Sequence, residues 1–178
     1  MPTFSAKKED KQIKIFSTEN SDPVVTQNIL ADHRPFLHPI CPLDGVGELT
    51  EYSPGHHPHQ TGLYWGFTRV NGMDVDKKIV DEWFYNSDKP ANIKEQIGRD
   101  FFHNPGGDYW RLNEANILVG AGDIVRWQST YDLIDESEKT ILTETQDWSI
   151  KEYEAAFMLD LEWQGLARKH TKIGAFPY

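Results

Sequence analysis

Apolar and polar positions alternate with a period of two near the end of the chain, where Tyr153, Ala155, Phe157, Leu159 and Leu161 are interleaved with Glu152, Glu154, Asp160 and Glu162. Successive side chains of an extended strand point to opposite faces, so this set defines a strand with one apolar face and one wet face. Ile124 to Leu133 and Thr140 to Trp148 are β-branched and aromatic runs on either side of Asp135-Glu136-Ser137-Glu138, which is the pattern of a hairpin. Shorter strand patterns fall at Gln12 to Ser17 and Val24 to Leu30. Gly62 to Val70 and Val75 to Tyr85 flank Asn71-Gly72, a dipeptide that accepts positive φ at both centres of a type I′ turn, and a second hairpin is expected there. No long stretch keeps the i, i+3, i+4 recurrence of an amphipathic helix. The expectation is an all-β protein, an antiparallel β-sandwich with little helix, forming one domain over residues 11–178 after a disordered lead over residues 1–10.

The alternation breaks between Asp32 and Gly62, where five prolines, four glycines and five histidines exclude a regular helix and predict loops with short strands. Loops of that length usually carry function. The aromatic content of 12%, with six tryptophans, suits a sheet protein. A formal charge of -10 repels a phosphate backbone and anionic lipid, which argues against nucleic-acid and membrane partners and leaves neutral sugars or polyols as the natural ligand class. Cys41 is the single cysteine, so no intrachain disulfide forms, and its surroundings mark it as an inert thiol. The absence of an apolar leader or a spanning segment places the chain in the cytoplasm by default. There is no phosphate loop, no dinucleotide fingerprint and no serine-hydrolase elbow.

Candidate chemistry centres on histidine, since six of the seven lie between His33 and His103 and three are packed into Gly55-His56-His57-Pro58-His59-Gln60. In extended backbone His57 and His59 project to one side, and Pro58 favours extension at His57. Three readings stay open: a metal-free pocket in which an imidazole binds ligand or moves a proton, a divalent metal held by His57 and His59 with a third ligand, and a loop whose histidines only bond the loop to itself. His38 and His103 are the further histidine candidates, the first catalytic and the second substrate-binding. Arg34 is either a bidentate clamp on an oxygen-rich ligand or the partner of a carboxylate of its own chain. Gln60 and Trp65, adjoining the histidine cluster, complete the substrate-binding set, because a flat indole matches the apolar face of a pyranose. Glu48, Glu51, Asp81, Glu82, Asp108 and Glu114 are all acids of the type a glycosidase uses, and nothing in the sequence selects a pair among them.

Three motifs in order, His33-Arg34-Pro35-Phe36-Leu37-His38-Pro39, His57-Pro58-His59-Gln60-Thr61-Gly62-Leu63-Tyr64-Trp65 and Val70-Asn71-Gly72-Met73-Asp74, resemble the bacterial family that carries the name methane oxygenase PmoA. The resemblance runs from about Asp32 to Leu166, and departs at Gln60 and Thr61, where the family has a further histidine followed by arginine. It implies a sandwich similar to those of sugar mutarotases, shortened at its end, and an association with bacterial carbohydrate catabolism. The membrane enzyme of that name is excluded by the hydrophilic sequence. The leading expectation is therefore a carbohydrate-binding or carbohydrate-modifying sandwich, working by isomerase, lyase or glycoside-cleaving chemistry with His38, His57 and His59 as catalytic groups. A metal-dependent enzyme at His57 and His59 and a noncatalytic module are the alternatives. Sheet edges exposed by a short end give a reason to form a homodimer.

Overall fold

The computed structural model describes residues 4–85, 91–104, 106–154 and 156–175. Its strands are β1 (Phe4–Glu9), β2 (Gln12–Ser17), β3 (Pro23–Asn28), β4 (Phe36–Ile40), β5 (Leu63–Tyr64), β6 (Trp110–Val119), β7 (Ala121–Gly122), β8 (Ile124–Ile134), β9 (Thr140–Tyr153) and β10 (Ala156–Ala167), with helices α1 (Lys77–Tyr85) and α2 (Ala91–Ile97) between β5 and β6. Two antiparallel sheets, in the orders β5-β4-β3-β2-β1-β7 and β10-β9-β8-β6, pack face to face as a sandwich. Among the described residues no helix is long and apolar enough to cross a membrane.

The period-two runs become strands as expected, and the turn between β8 and β9 is built by Asp135. Its Oδ1 accepts from the Ser137 N–H at 2.9 Å, the Ser137 hydroxyl at 2.8 Å and the Lys139 N–H at 3.0 Å, while Lys169 pairs with Oδ2 at 2.6 Å. These donors hold the Asp135 carboxyl well below the usual carboxylate range, with Lys169 the strongest of them. On β10 the apolar set Phe157, Leu159 and Leu161 packs on the core. Tyr153 instead ends β9 and is exposed, and Ala155 lies outside the described residues.

Two expectations are corrected. Residues 4–9 of the lead are a strand, because Phe4 is wholly buried in the core and β1 pairs with both β2 and β7; Met1 to Thr3 lie outside the described residues. The expected hairpin about Asn71-Gly72 does not form: only Leu63–Tyr64 of its first arm is a strand, and Lys77–Tyr85 of its second is a helix. Val80, Trp83 and Phe84 recur at i, i+3, i+4, Asp76 Oδ1 caps the Lys78 N–H at 2.8 Å, and Lys77 pairs with Asp81 at 2.9 Å one turn on. Asn71 does take φ of 59°, yet Gly72 serves contact: a Cβ there would lie 2.2 Å from the Ile97 carbonyl oxygen at the end of α2.

The core falls into two clusters. One gathers Phe4, Ile13, Ile15, Val25, Trp127, Trp148 and Ile150, and the other Val70, Phe101, Trp110, Tyr131, Leu133 and Leu142. Between them a buried polar band crosses the sandwich: Gln27 Nε2 on β3 donates to Ser129 Oγ on β8 at 3.0 Å, Gln146 Nε2 to Glu144 Oε1 at 2.6 Å, and Trp148 Nε1 to Gln146 Oε1 at 3.0 Å. Glu144 faces Gly165 across the β9–β10 ladder, and the missing side chain there lets the Trp163 ring fold back over Gly165. That indole N–H lies near Glu144 without forming a well-aligned bond, so Oε2 stays without a partner. Burial pushes the Glu144 carboxyl from its ordinary 4.5 up to about 7 against the opposing pull of Trp163 and Gln146.

A pH dependence of stability follows from Glu144. Below 4.5 the group is protonated in both the folded and unfolded chain; from there to about 7 only the folded chain keeps the proton, so stability falls as pH rises. The full loss is about 3 kcal/mol. Thermal melts should show the wild-type midpoint falling between pH 4.5 and about pH 7 and the Glu144→Gln midpoint falling less. Parallel profiles for the two proteins would sink the argument.

Candidate functional site

Between β4 and β6 the chain is largely irregular, and three buried arginines tie its loops to one another and to neighbouring segments. Arg69 donates to the carbonyls of Ala175 at 3.0 Å and Met73 at 2.8 Å, and Arg99 reaches Glu136 at 2.9 Å and the Asp108 carbonyl while lying 3.7 Å from the Tyr109 ring centroid. Arg34 is the most enclosed, with 0% of its surface exposed. Its guanidinium stacks 3.4 Å from the Tyr64 ring centroid, donates to the carbonyl oxygens of His59 and Phe102, and reaches Thr61 Oγ1 at 3.3 Å. Burial pulls Arg34 down to about 10, with Tyr64 and Asp100 acting the other way, and it stays cationic at neutral pH. With these bonds made to its own chain and none of its surface exposed, Arg34 holds the site's framework, while its Nε stays buried without a partner.

The histidine segment is curled, not extended. His57 N–H donates to Pro54 O at 2.8 Å and Gln60 N–H to His57 O at 3.0 Å, making two consecutive turns that share His57, with Pro58 inside the second. Gly62, at φ of 91°, then brings the chain so close to β4 that a Cβ would meet the Leu37 carbonyl oxygen. The curl still brings imidazoles together. Ring centroids are 4.9 Å apart for His56 and His57, 5.7 Å for His57 and His59, and 4.6 Å for His59 and His103. His59 is held below its ordinary value, first by burial and then by the neighbouring His103, Arg34 and His57. Gln60 contributes backbone groups to the turns, its carbonyl accepting from Ser53 N–H at 2.6 Å.

The row ends on Asp100, a residue that the sequence reading did not single out. Asp100 Oδ1 accepts from the backbone N–H groups of Phe102 and His103, both at 3.0 Å, and Oδ2 lies 2.8 Å from His103 Nδ1. Two backbone donors fix the carboxylate, and the carboxylate fixes the ring. The Nδ1–H faces Asp100, which makes Nε2 the basic nitrogen of the neutral imidazole. The Asp-x-x-His spacing at 100 and 103 was the available signal, readable as a local cap but not as a pair beside His59. His103 lies on the wall of a cleft of about 490 Å³ together with Trp83, Phe84, Asp100, Asn104 and Tyr109.

Other expected members lie apart from this row. His38, beside the cis His38-Pro39 bond, places Nδ1 3.0 Å from Thr50 Oγ1, Nε2 4.0 Å from Glu48 and its ring against Tyr52. Trp65 packs with Phe67 and Trp163, at 6.2 Å from each, and is 45% exposed. Trp110, Trp127 and Trp148 are core. Among the described residues no three His, Cys, Asp or Glu side chains are placed to hold a metal ion.

Fold and site together define a β-sandwich that carries an Asp–His pair on a loop-built cleft. The chain belongs to a family of unknown function, DUF6807, whose model matches residues 23–178. That match corrects the resemblance to the methane oxygenase PmoA family, which is not the family found over these motifs, and the association with carbohydrate catabolism drawn from it falls away as well. The motif residues have structural work that explains their pattern: Arg34 staples loops, Gly62 and Gly72 allow close backbone approach, and Pro58 takes the second position of the 57–60 turn. No curated protein and no solved structure matches the chain.

Arg34→Lys should lower the urea midpoint, because one ammonium cannot reach the His59 and Phe102 carbonyls and also stack on Tyr64. The expected loss is about 3 kcal/mol, from carbonyls left buried without donors. A midpoint within error of wild type would show that the clamp does not hold the loops.

Proposed function

We propose that the protein binds a neutral sugar in the cleft beside Asp100 and His103 and transfers a proton there. The observation that carries this reading is the Asp100–His103 pair on a cleft wall shared with Trp83, Phe84 and Tyr109. Flat rings offer stacking surface to the apolar face of a pyranose, while Asn104 and the imidazole offer polar contacts to its hydroxyls. The net charge of -10 favours an uncharged ligand over a phosphorylated one.

The chemistry follows from the tautomer. With Nδ1–H turned to Asp100, His103 Nε2 accepts a proton from a sugar hydroxyl or an acidic C–H, and the carboxylate stabilises the imidazolium that results. Return of that proton to another atom of the ligand completes a general acid–base cycle, the step common to isomerase, lyase and glycoside-cleaving reactions. His59, 4.6 Å from His103 by ring centroids and held below its ordinary value first by burial, flanks the pair.

Calorimetric titration with a panel of sugars, followed by turnover assays on those that bind, tests the proposal. Binding should be seen for at least one sugar, and His103→Ala should weaken it about tenfold or more. Asp100→Asn presents an amide to Nδ1 and reverses the tautomer, so turnover should fall by about 10²-fold or more. If no sugar binds, or if both variants bind and turn over like wild type, the reading is wrong.

A further inference from the structure

We infer that the ligand occupies two subsites and contains at least two sugar units, with their linkage lying against His103. This deepens the sugar reading above and rests on it. His103 borders two clefts. On one side is the cleft of about 490 Å³ with Trp83, Phe84 and Tyr109; on the other is a cleft of about 270 Å³ bounded by Phe67, Thr68, Phe102 and Ile173. The imidazole stands between aromatic rings of the two sides, 5.2 Å from Phe84 and 5.0 Å from Phe102 by ring centroids.

Each cleft therefore has its own flat apolar surface, which is what stacking of successive pyranose units requires. The second cleft also leads outward along aromatic side chains, since Phe67 contacts Trp65 at 6.2 Å and Trp163 at 5.5 Å. Trp65 keeps 45% of its surface in water, an exposure that a third stacked unit would reduce. A ligand of one unit occupies one cleft and leaves the other without a ligand. A ligand of two units fills both and carries the atoms joining them past the one ring in the site that Asp100 holds by hydrogen bond.

The test is calorimetric titration of the full chain with methyl α- and β-glycosides of glucose, galactose, mannose and xylose, and with disaccharides and trisaccharides built from them. The preferred disaccharide should bind at least tenfold tighter than the methyl glycoside of its better-binding unit. Phe67→Ala should bring disaccharide affinity down towards that of the glycoside. Ile173→Ala, at a half-exposed side chain of the same cleft, gives the same readout if Phe67→Ala does not fold. Equal affinities for glycosides and disaccharides, or a Phe67→Ala loss shared equally by both, would overturn the two-subsite inference and leave sugar binding standing. Failure of every glycoside and oligosaccharide to bind would overturn both.

Discussion

The site depends on a cation buried beneath it. Arg34 belongs to the segment leading into β4, yet its guanidinium meets the carbonyls of His59 and Phe102, the hydroxyl of Thr61 and the face of Tyr64. These contacts come from the histidine loop, from β5 and from the loop that carries His103. Desolvating a guanidinium is expensive, and the arrangement is stable only because carbonyl dipoles and a π face replace the lost water. The same requirement makes it specific, since moving either loop would leave both a buried charge and a buried carbonyl unpaired. Spacing between His59 and His103 is thus set from below by a residue that touches neither imidazole. Arg69 and Arg99 repeat the device further along, so backbone carbonyls of the irregular region find donors in side chains where no strand ladder reaches them.

The sandwich beneath supplies rigidity in a different way. Its two apolar clusters are joined through Gln27, Ser129, Glu144 and Gln146, whose hydrogen bonds tie one sheet to the other and run along β9. Ser129 and Gln146 are opposite one another across the β8–β9 ladder, as are Tyr131 and Glu144, so the band fixes the register of the inner face. Tyr131 adds a bond from its hydroxyl to Leu30 O at 3.0 Å, close to the start of the segment that carries Arg34. A polar band of this kind costs stability where a group lacks its partner, as Glu144 Oε2 does, and gains uniqueness of packing in return.

Much of the sheet was legible because its signal is local. Alternation at β2, β8, β9 and β10 needs only neighbouring residues, and Asp135 to Glu138 form their turn through bonds within four positions. What was missed depends on distance. Phe4 marks β1 only because it enters a core that joins Ile13 and Ile15 nearby to Val125, Trp127, Trp148 and Ile150 over a hundred positions away. Asn71-Gly72 has the dihedral preference of a hairpin turn, and its partner strand is absent because Val80, Trp83 and Phe84 obey helical spacing with charged pairs on the opposite face. The proximity of His57 and His59 was expected from extended backbone and is achieved by two turns instead, so the outcome was readable and its mechanism was not. Asp100 was passed over because its partners, the His103 ring and two backbone N–H groups, look in sequence like an ordinary loop cap.

That cap and the functional reading are two faces of one geometry. An aspartate that accepts only backbone N–H groups is structural; here the second oxygen is turned to an imidazole on a cleft wall, and the backbone bonds become the reason its orientation is fixed before any ligand arrives. The neighbouring imidazoles make sense in the same frame. Four protonated histidines in contact with one another, above a buried guanidinium and facing one carboxylate, would repel strongly. Partial burial of His59 at the centre of the row, with the neighbouring His103, Arg34 and His57, lowers its affinity for a proton, so the ring beside the Asp100–His103 pair resists taking up positive charge. His56 and His57 form the exposed end of the row. The row is graded from a solvated end to a paired end, and of its four rings His103 is the one that a carboxylate holds beside two adjoining clefts.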